Sequence, residues 1–404
     1  MNDRLNILLI SPNAPPKNTA ESIQVRRILA ELDKHASGQL VTVTSTGSWG
    51  KADPSLALPL QHFDTELLDL PFHLFTGRLL MSRHFAQLHM PDALFWITYR
   101  AKYIIRRLKK QPDIIYSRSS PMSAALLAYK LKQKLGVQWI MHLSDPWADN
   151  PYKKFDPRDE KAEATCFTHA DLITLTTQGQ ATHYQKKYPS FAKKIFVSPN
   201  VMDEENHPSK RFSDGQLHIV FAGSLYGDRS PEPFLKALDI LRNTQPELFK
   251  KLRVDFYGNA QEAALKLLKD ASDVVLYHGA VSFAEAYAAQ ASADIVLNIE
   301  AELNDPLGNC FLPSKVIDCL ALGRPILAIT PAGSETTAIC EEGYGWAVPP
   351  SQPNELASQI AKLVEMLPEL RDAPAKAAPK RYSAKTVTDD LLSHMNRLQR
   401  EHRL

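Results

Sequence analysis

Short apolar runs alternate along this chain with longer stretches of helical period. Residues 6–10 (NILLI) form the first such run, and the turn-rich residues 11–16 follow it. An apolar run of this length, bounded by turn residues, reads as a buried parallel strand. A helix starting near Glu21 then repeats Ile23, Ile28, Leu29 and Leu32 on one face. The same rhythm predicts strands over 40–44, 113–117, 139–141, 170–175 and 194–197, with helices over 122–135 and 160–169. A second series begins at 217–222 and continues through 254–259, 274–281, 293–298 and 326–328. Its helices carry Phe234, Leu238 and Leu241, then run over 355–366, and a last helix starts at Ser383. The polar stretch 204–216 between the two series suits a domain boundary. Strands and helices in strict alternation imply an α/β fold of doubly wound parallel sheets, one for each series. No internal sequence repeat accompanies the shared rhythm.

The best-specified stretch is 311–328, FLPSKVIDCLALGRPILA. Ser314 is placed to cap a helix in which Val316, Ile317, Leu320 and Ala321 point inward. Gly323 ends that helix, and Arg324-Pro325 leads into a buried strand. Packing accounts for neither Lys315 in the first turn nor Asp318 one turn later. A helix N-terminus carries partial positive charge, so a lysine there opposes stability but suits an anionic ligand. The alternative is an ordinary helix with a surface lysine.

Two further loops carry candidate chemistry. After the strand 217–222 comes Gly223-Ser224-Leu225-Tyr226-Gly227-Asp228-Arg229, a strand, glycine turn and helix order that can cradle phosphate. Arg229 can hold phosphate oxygens with a bidentate fork. After the strand 139–141 comes HLSDPWADN, where His142 and Asp145 stand at the carboxyl end of a strand, the side on which open α/β sheets bind ligands. Either can orient a ligand or accept a proton; the plain alternative is a histidine satisfied within its loop. The loop after the first strand has no G-x-G-x-x-G, so a dinucleotide fingerprint is absent.

The stretch 311–328 resembles the donor-site helix of retaining GT-B glycosyltransferases of the family-4 type, roughly P-S-K-x-x-E-x-x-A-x-G-x-P. Pro313, Ser314, Lys315, Asp318, Ala321, Gly323 and Pro325 carry the match. Asp318 takes the place of the family's ribose-binding glutamate, and Cys310 the place of a second glutamate eight positions earlier. The segment from His142 resembles the family's D-x-R-D-x-W stretch through Asp145 and Trp147, and residues 198–203 resemble its P-N-G-V-D linker without the glycine. In the G-R-L-x-x-x-K-G loop of the family, Arg229 stands for the lysine and Ser224 for the arginine. Lys17-Asn18-Thr19-Ala20 fills a loop that is commonly glycine-rich near the donor phosphates.

The resemblance implies the GT-B fold, two Rossmann-like domains facing across a cleft. Residues 1–200 would bind the acceptor and 201–380 the nucleotide-sugar, and 381–404 would form a terminal helix crossing back to the first domain. It implies a hydroxyl attacking the anomeric carbon with retention, in cell-surface polysaccharide or glycolipid synthesis. The implied catalytic residues are Arg229, Lys315, His142 and Asp145. Donor binding falls to Gly223, Ser224, Gly279, Val281, Ser314, Asp318, Asn18 and Thr19, with the nucleobase on the backbone after Gly279. No D-x-D pair occurs, so no metal and no other cofactor is expected. Two readings stay open beside it: an epimerase acting on the nucleotide-sugar alone, and a non-catalytic GT-B-like partner subunit.

Composition narrows the field further. A chain of 404 residues with 44% hydrophobic and 23% charged residues has enough apolar surface for two cores. A net charge of +2 gives no reason to expect nucleic acid as a partner. The four cysteines have no metal-like spacing and suit a reduced compartment. No signal-peptide pattern is visible, so the expected location is the cytoplasm or the inner face of the membrane. Residues 67–110 interleave aromatic residues such as Phe72, Phe75, Phe85, Trp96 and Tyr99 with Arg78, Arg83, Arg100, Arg106, Arg107 and Lys110. That stretch is either a basic surface for anionic lipid or a lipid-linked acceptor, or two helices packed on the sheet with solvated basic faces.

Overall fold

The computed structural model describes residues 4–43, 53–68, 90–203, 212, 214–303 and 305–403. The chain forms two compact units, one made of Met1–Val201 with Ser383–Leu404 and the other of Met202–Tyr382.

The first unit is built on a parallel sheet of seven strands: β1 (Asn6–Ile10), β2 (Ser37–Val43), β3 (Phe63–Leu68), β4 (Ile114–Ser119), β5 (Gln138–Leu143), β6 (Leu172–Leu175) and β7 (Ile195–Val197). Their order is β3-β2-β1-β4-β5-β6-β7, so the chain winds outward from β1 in both directions. Both faces are covered, which is why β1 reads as an unbroken apolar run. Leu8 and Ile10 belong to a core with helices 101–107, 123–135, 157–169 and 178–187, while Ile7 and Leu9 belong to one with helices 20–35 and 384–403. The C-terminal helix seats Val387, Leu391, Met395 and Leu398 in that second core.

The second unit repeats the plan with six parallel strands in the order β10-β9-β8-β11-β12-β13. They are β8 (Leu217–Ala222), β9 (Leu252–Tyr257), β10 (Val275–Gly279), β11 (Ile295–Ile299), β12 (Ile326–Ile329) and β13 (Gly345–Val348). One face packs Ile219, Phe221 and Leu297 against helices 232–244, 262–269 and 353–365. The other packs Val296, Ile326 and Ala328 against Val316, Ile317 and Leu320 of helix Ser314–Ala321.

Three local expectations change. β3 was not foreseen, because FDTELL alternates weakly and only its first and last residues are buried. The polar stretch 368–380, given no element from its pattern, is entered by a short helix, Leu367–Asp372. Ser314 does not cap its helix: Pro313 is the capping residue and no side chain bonds the first turn.

Of the basic aromatic stretch, residues 69–89, with Phe72, Phe75, Arg78, Arg83 and Phe85, lie outside the described residues. In its remainder, Leu94, Ile97, Ala101 and Ile104 are buried in the core, and Tyr99 is exposed. Arg107 and Lys109 are paired with Glu66 and Asp64 of β3. No helix among the described residues is long and apolar enough to cross a membrane.

Candidate functional site

In the second unit, the candidate groups gather where β8, β11 and helix 314–321 end or begin. Gly223 leaves β8 with its N–H donating to Tyr257 O at 2.9 Å. Gly258 lies against it so closely that a Cβ there would stand 2.0 Å from Gly223 O, at a φ of +119°. Only glycine fits that crossing. The turn beyond is tied to the segment after β9: Leu225 N–H donates to Asn259 O, Gln261 N–H donates to Leu225 O, and Gly227 N–H donates to the Gln261 side chain. This fixed turn presents Ser224 to solvent and places Arg229 over the Tyr226 ring, 5.1 Å from its centroid. Arg229 Nε is buried and has no hydrogen-bond partner among the described residues.

Lys315 arrives from the opposite side. Its stem is half-buried, but Nζ is sealed off, 4.4 Å from the Phe221 ring centroid and 3.5 Å from where a Gly223 side chain would begin. Nζ too has no hydrogen-bond partner among the described residues. Burial, and then the positive charge of Arg229, push this ammonium down to about 7, against a smaller upward pull from Glu300 and Cys319. Two cationic side chains thus meet at a helix start that no side chain caps, an arrangement suited to an anion.

Asp318 is 6% exposed, so the expectation of a surface residue one turn from Lys315 is corrected: it lies in the packed face of the helix. Gly279 takes a φ of +74° with open space around its α-carbon, and half-buried Val281 leads into a helix capped reciprocally by Ser282 and Glu285. Tyr277 OH donates to Gly258 O at 2.9 Å and so links this loop to the Gly223 turn.

The first unit gives its candidates different surroundings. Thr19 caps helix 20–35 by accepting from Ser22 N–H at 3.1 Å, and Asn18 Nδ2 donates to Asp53 at 3.3 Å. In place of glycines, this loop is filled from within by Lys17, 3% exposed, whose Nζ donates to Pro12 O at 2.7 Å. Burial pushes the Lys17 ammonium down to about 8. His142 lies inside the sheet at 1% exposure, with Nδ1 3.0 Å from Thr174 Oγ1. Burial, then the neighbouring Arg118 charge, hold its proton affinity well below the usual histidine range, so the ring is neutral. Asp145 is half-buried in the following loop. That loop is anchored by Trp147, whose N–H donates to Tyr184 OH at 2.8 Å and whose Nε1 donates to Asp159 at 3.0 Å. Buried Glu163 accepts from Ala148 N–H, Tyr184, Lys187 and Tyr188.

The sequence reading did not single out two groups. Arg118, 1% exposed on β4, donates to Glu21 at 2.8 Å and to Tyr116 OH at 3.0 Å, and Ser144 Oγ donates to the other Glu21 oxygen at 2.6 Å. Glu300 sits just beyond β11. Each is a charged residue at the carboxyl end of an apolar run (IIYSR and IVLNIE), which is the signal that could have found them. Among the described residues, no group of three His, Cys, Asp or Glu side chains is placed to hold a metal ion.

Comparison with known proteins bears on the same region. Residues 216–366 match the family described as Glycosyl transferases group 1. A probable glycosyltransferase, WbjE of Pseudomonas aeruginosa, is 22% identical over 296 residues, covering 68% of this chain and 72% of that protein. Among solved structures, a sucrose-phosphate synthase from Thermosynechococcus elongatus superposes with a TM-score of 0.72 at 16% identity, covering 98% of this chain and 99% of that one. A trehalose-6-phosphate protein from E. coli bound with UDP-2-fluoro glucose gives 0.67 at 11% identity, covering 96% and 98%. The chain thus has the GT-B fold of two parallel-sheet Rossmann-like units, and its second unit carries the match to Glycosyl transferases group 1.

Proposed function

We propose that this protein is a glycosyltransferase that moves a sugar from a nucleotide-sugar donor to a hydroxyl acceptor with retention at the anomeric carbon. The second unit binds the donor and the first binds a glycan or lipid-linked acceptor, in cell-surface polysaccharide or glycolipid synthesis. The observation that carries this reading is the Lys315 ammonium, buried beside Gly223 and near Arg229 without a hydrogen-bond partner among the described residues. A buried unpaired cation is costly, and a diphosphate is the ligand whose charge offsets two of them.

The chemistry follows from that placement. As the acceptor oxygen bonds to the anomeric carbon, the bond from that carbon to the diphosphate breaks and its electron pair stays on the phosphate oxygen. Lys315 and Arg229 stabilise this developing charge without reorganising. Asp318, inside helix 314–321, is the proposed ligand of the ribose hydroxyls. Ser314 and Ser224, the latter held by the Gly223 turn, offer N–H groups to phosphate, and the backbone after Gly279, with Val281, meets the base. Asp145 is the proposed acceptor of the hydroxyl proton, because His142 is sealed inside the sheet.

A thermal-shift panel of UDP-, GDP- and ADP-sugars tests this directly, since a ligand that binds only the folded state raises Tm. One member should stabilise the protein, and that member with an acceptor should yield a retained glycoside. Conversion of the donor alone would identify an epimerase, and binding without hydrolysis or transfer a partner subunit. An anionic membrane surface is a further proposed partner. Sedimentation with anionic vesicles should show binding that weakens with salt; equal recovery without anionic lipid would reject it.

A further inference from the structure

One buried charge beside the proposed phosphate site has no part in the reading above. Glu300 is 7% exposed just past the end of β11. Asn298 Nδ2 donates to its Oε1 at 2.5 Å and Thr336 Oγ1 donates to the same oxygen at 2.6 Å. Thr330 Oγ1 donates to Oε2 at 3.0 Å and lies 2.7 Å from Ser334 Oγ, the cap of helix Glu335–Ile339. Three elements therefore fix this carboxylate, and every donor they supply is neutral. Neutral donors satisfy its lone pairs but leave its charge uncompensated.

The candidate for the compensating charge is Lys315, on helix Ser314–Ala321. β11 pairs with β8 in the sheet, so Glu300 and the Gly223 turn share one carboxyl edge, and Lys315 Nζ is packed against that turn. Burial and three groups act on the ammonium. Burial and Arg229, from the turn after β8, disfavour its charge, while Glu300 and Cys319 favour it. Cys319 lies on the lysine's own helix, and burial pushes its thiol far up, so it is neutral.

We propose that Glu300 is a positioning residue, a fixed counter-charge that holds the Lys315 ammonium ready against Gly223 for an incoming anion. The proposal rests on reading Lys315 as an anion-binding group. It gives a lysine whose Nζ makes no hydrogen bond among the described residues a charge that opposes the effect of burial and Arg229. It also assigns Thr330 and Thr336 a task, since they stop the carboxylate from swinging away.

The test is a titration of lysines labelled with ¹³C at Cε, followed by NMR from pH 5.5 to 9.5, with the Lys315 signal assigned by its loss in Lys315→Met. Wild type should show a midpoint near 7. Glu300→Gln should lower that midpoint by about one pH unit, the effect of a single nearby charge. Glu300→Asp, which keeps the charge but draws it back, should fall between the two. It also serves as the comparison with wild type if the glutamine variant does not fold. A midpoint unmoved in these variants overturns the proposal. If the midpoint falls while no nucleotide-sugar of the panel binds wild type, the counter-charge stands and the donor-site reading fails.

Discussion

Arg118 in the first unit and Lys315 in the second stand at the carboxyl edges of their sheets, and the two cations are treated in opposite ways. Arg118 in the first unit meets a carboxylate and a phenol within 3.0 Å. Burial works against its charge, but Glu21 and Tyr116 outweigh it, and its proton affinity is raised. Lys315 in the second unit has no such partners, so burial wins and its affinity falls. A cation that is satisfied within the fold holds the fold together. One left unsatisfied is a cost to folding and is of use only when a ligand arrives.

The comparison predicts a sharp division between stability and activity. Glu21→Ala leaves Arg118 buried and unpaired, and chemical denaturation should show a loss of about 3–5 kcal/mol. A loss no larger than that of a surface substitution would break the structural assignment of this pair. Lys315→Met should do the reverse. It removes a charge that no hydrogen bond satisfies among the described residues, so its effect on stability should be smaller than that of Glu21→Ala, while turnover should fall by roughly 2–4 kcal/mol of transition-state stabilisation.

The pH dependence of stability sharpens the same contrast. The folded protein releases the Lys315 proton near pH 7, whereas an unfolded lysine keeps its proton to about 10.4. Between these values the unfolded chain binds more protons, so stability should rise with pH across this window through Lys315. That rise should shrink in Lys315→Met; an unchanged slope would show that the ammonium is not depressed.

Smaller effects follow. Asp318→Ala should raise the donor KM roughly tenfold with kcat nearly untouched, if one charge-assisted hydrogen bond worth ~1.5 kcal/mol is lost, because the ribose takes no part in bond breaking. A lowered kcat at constant KM would remove Asp318 from the ribose. Gly279→Ala meets no neighbour but keeps a positive φ, so a stability cost of ~1 kcal/mol from backbone strain alone is expected, read by the same denaturation.

How much of this was legible in the sequence varied with how local the cause was. Strands such as β1 and β8 announce themselves because a strand buried on both faces must be apolar throughout. Lys315 and Arg229 were legible because each departs from what packing or a helix start prefers. Glu300 and the Glu21–Arg118 pair were not: their meaning depends on partners 30 to 97 positions away that only the sheet order brings together. Ser314 shows the reverse error, where a good capping residue was displaced by one position by the proline before it. His142 stood in the expected loop register, but the strand runs on to Leu143 and carries the ring into the sheet.

The central claim is that the Lys315 ammonium is the grip for a nucleotide-sugar diphosphate. Calorimetric titration of wild type and Lys315→Met with the UDP-, GDP- and ADP-sugar panel tests it most directly. One donor should bind wild type, its affinity should drop at least about tenfold in the variant, in line with the loss of one charged hydrogen bond, and the variant should remain folded. Equal affinity in the two proteins would contradict it.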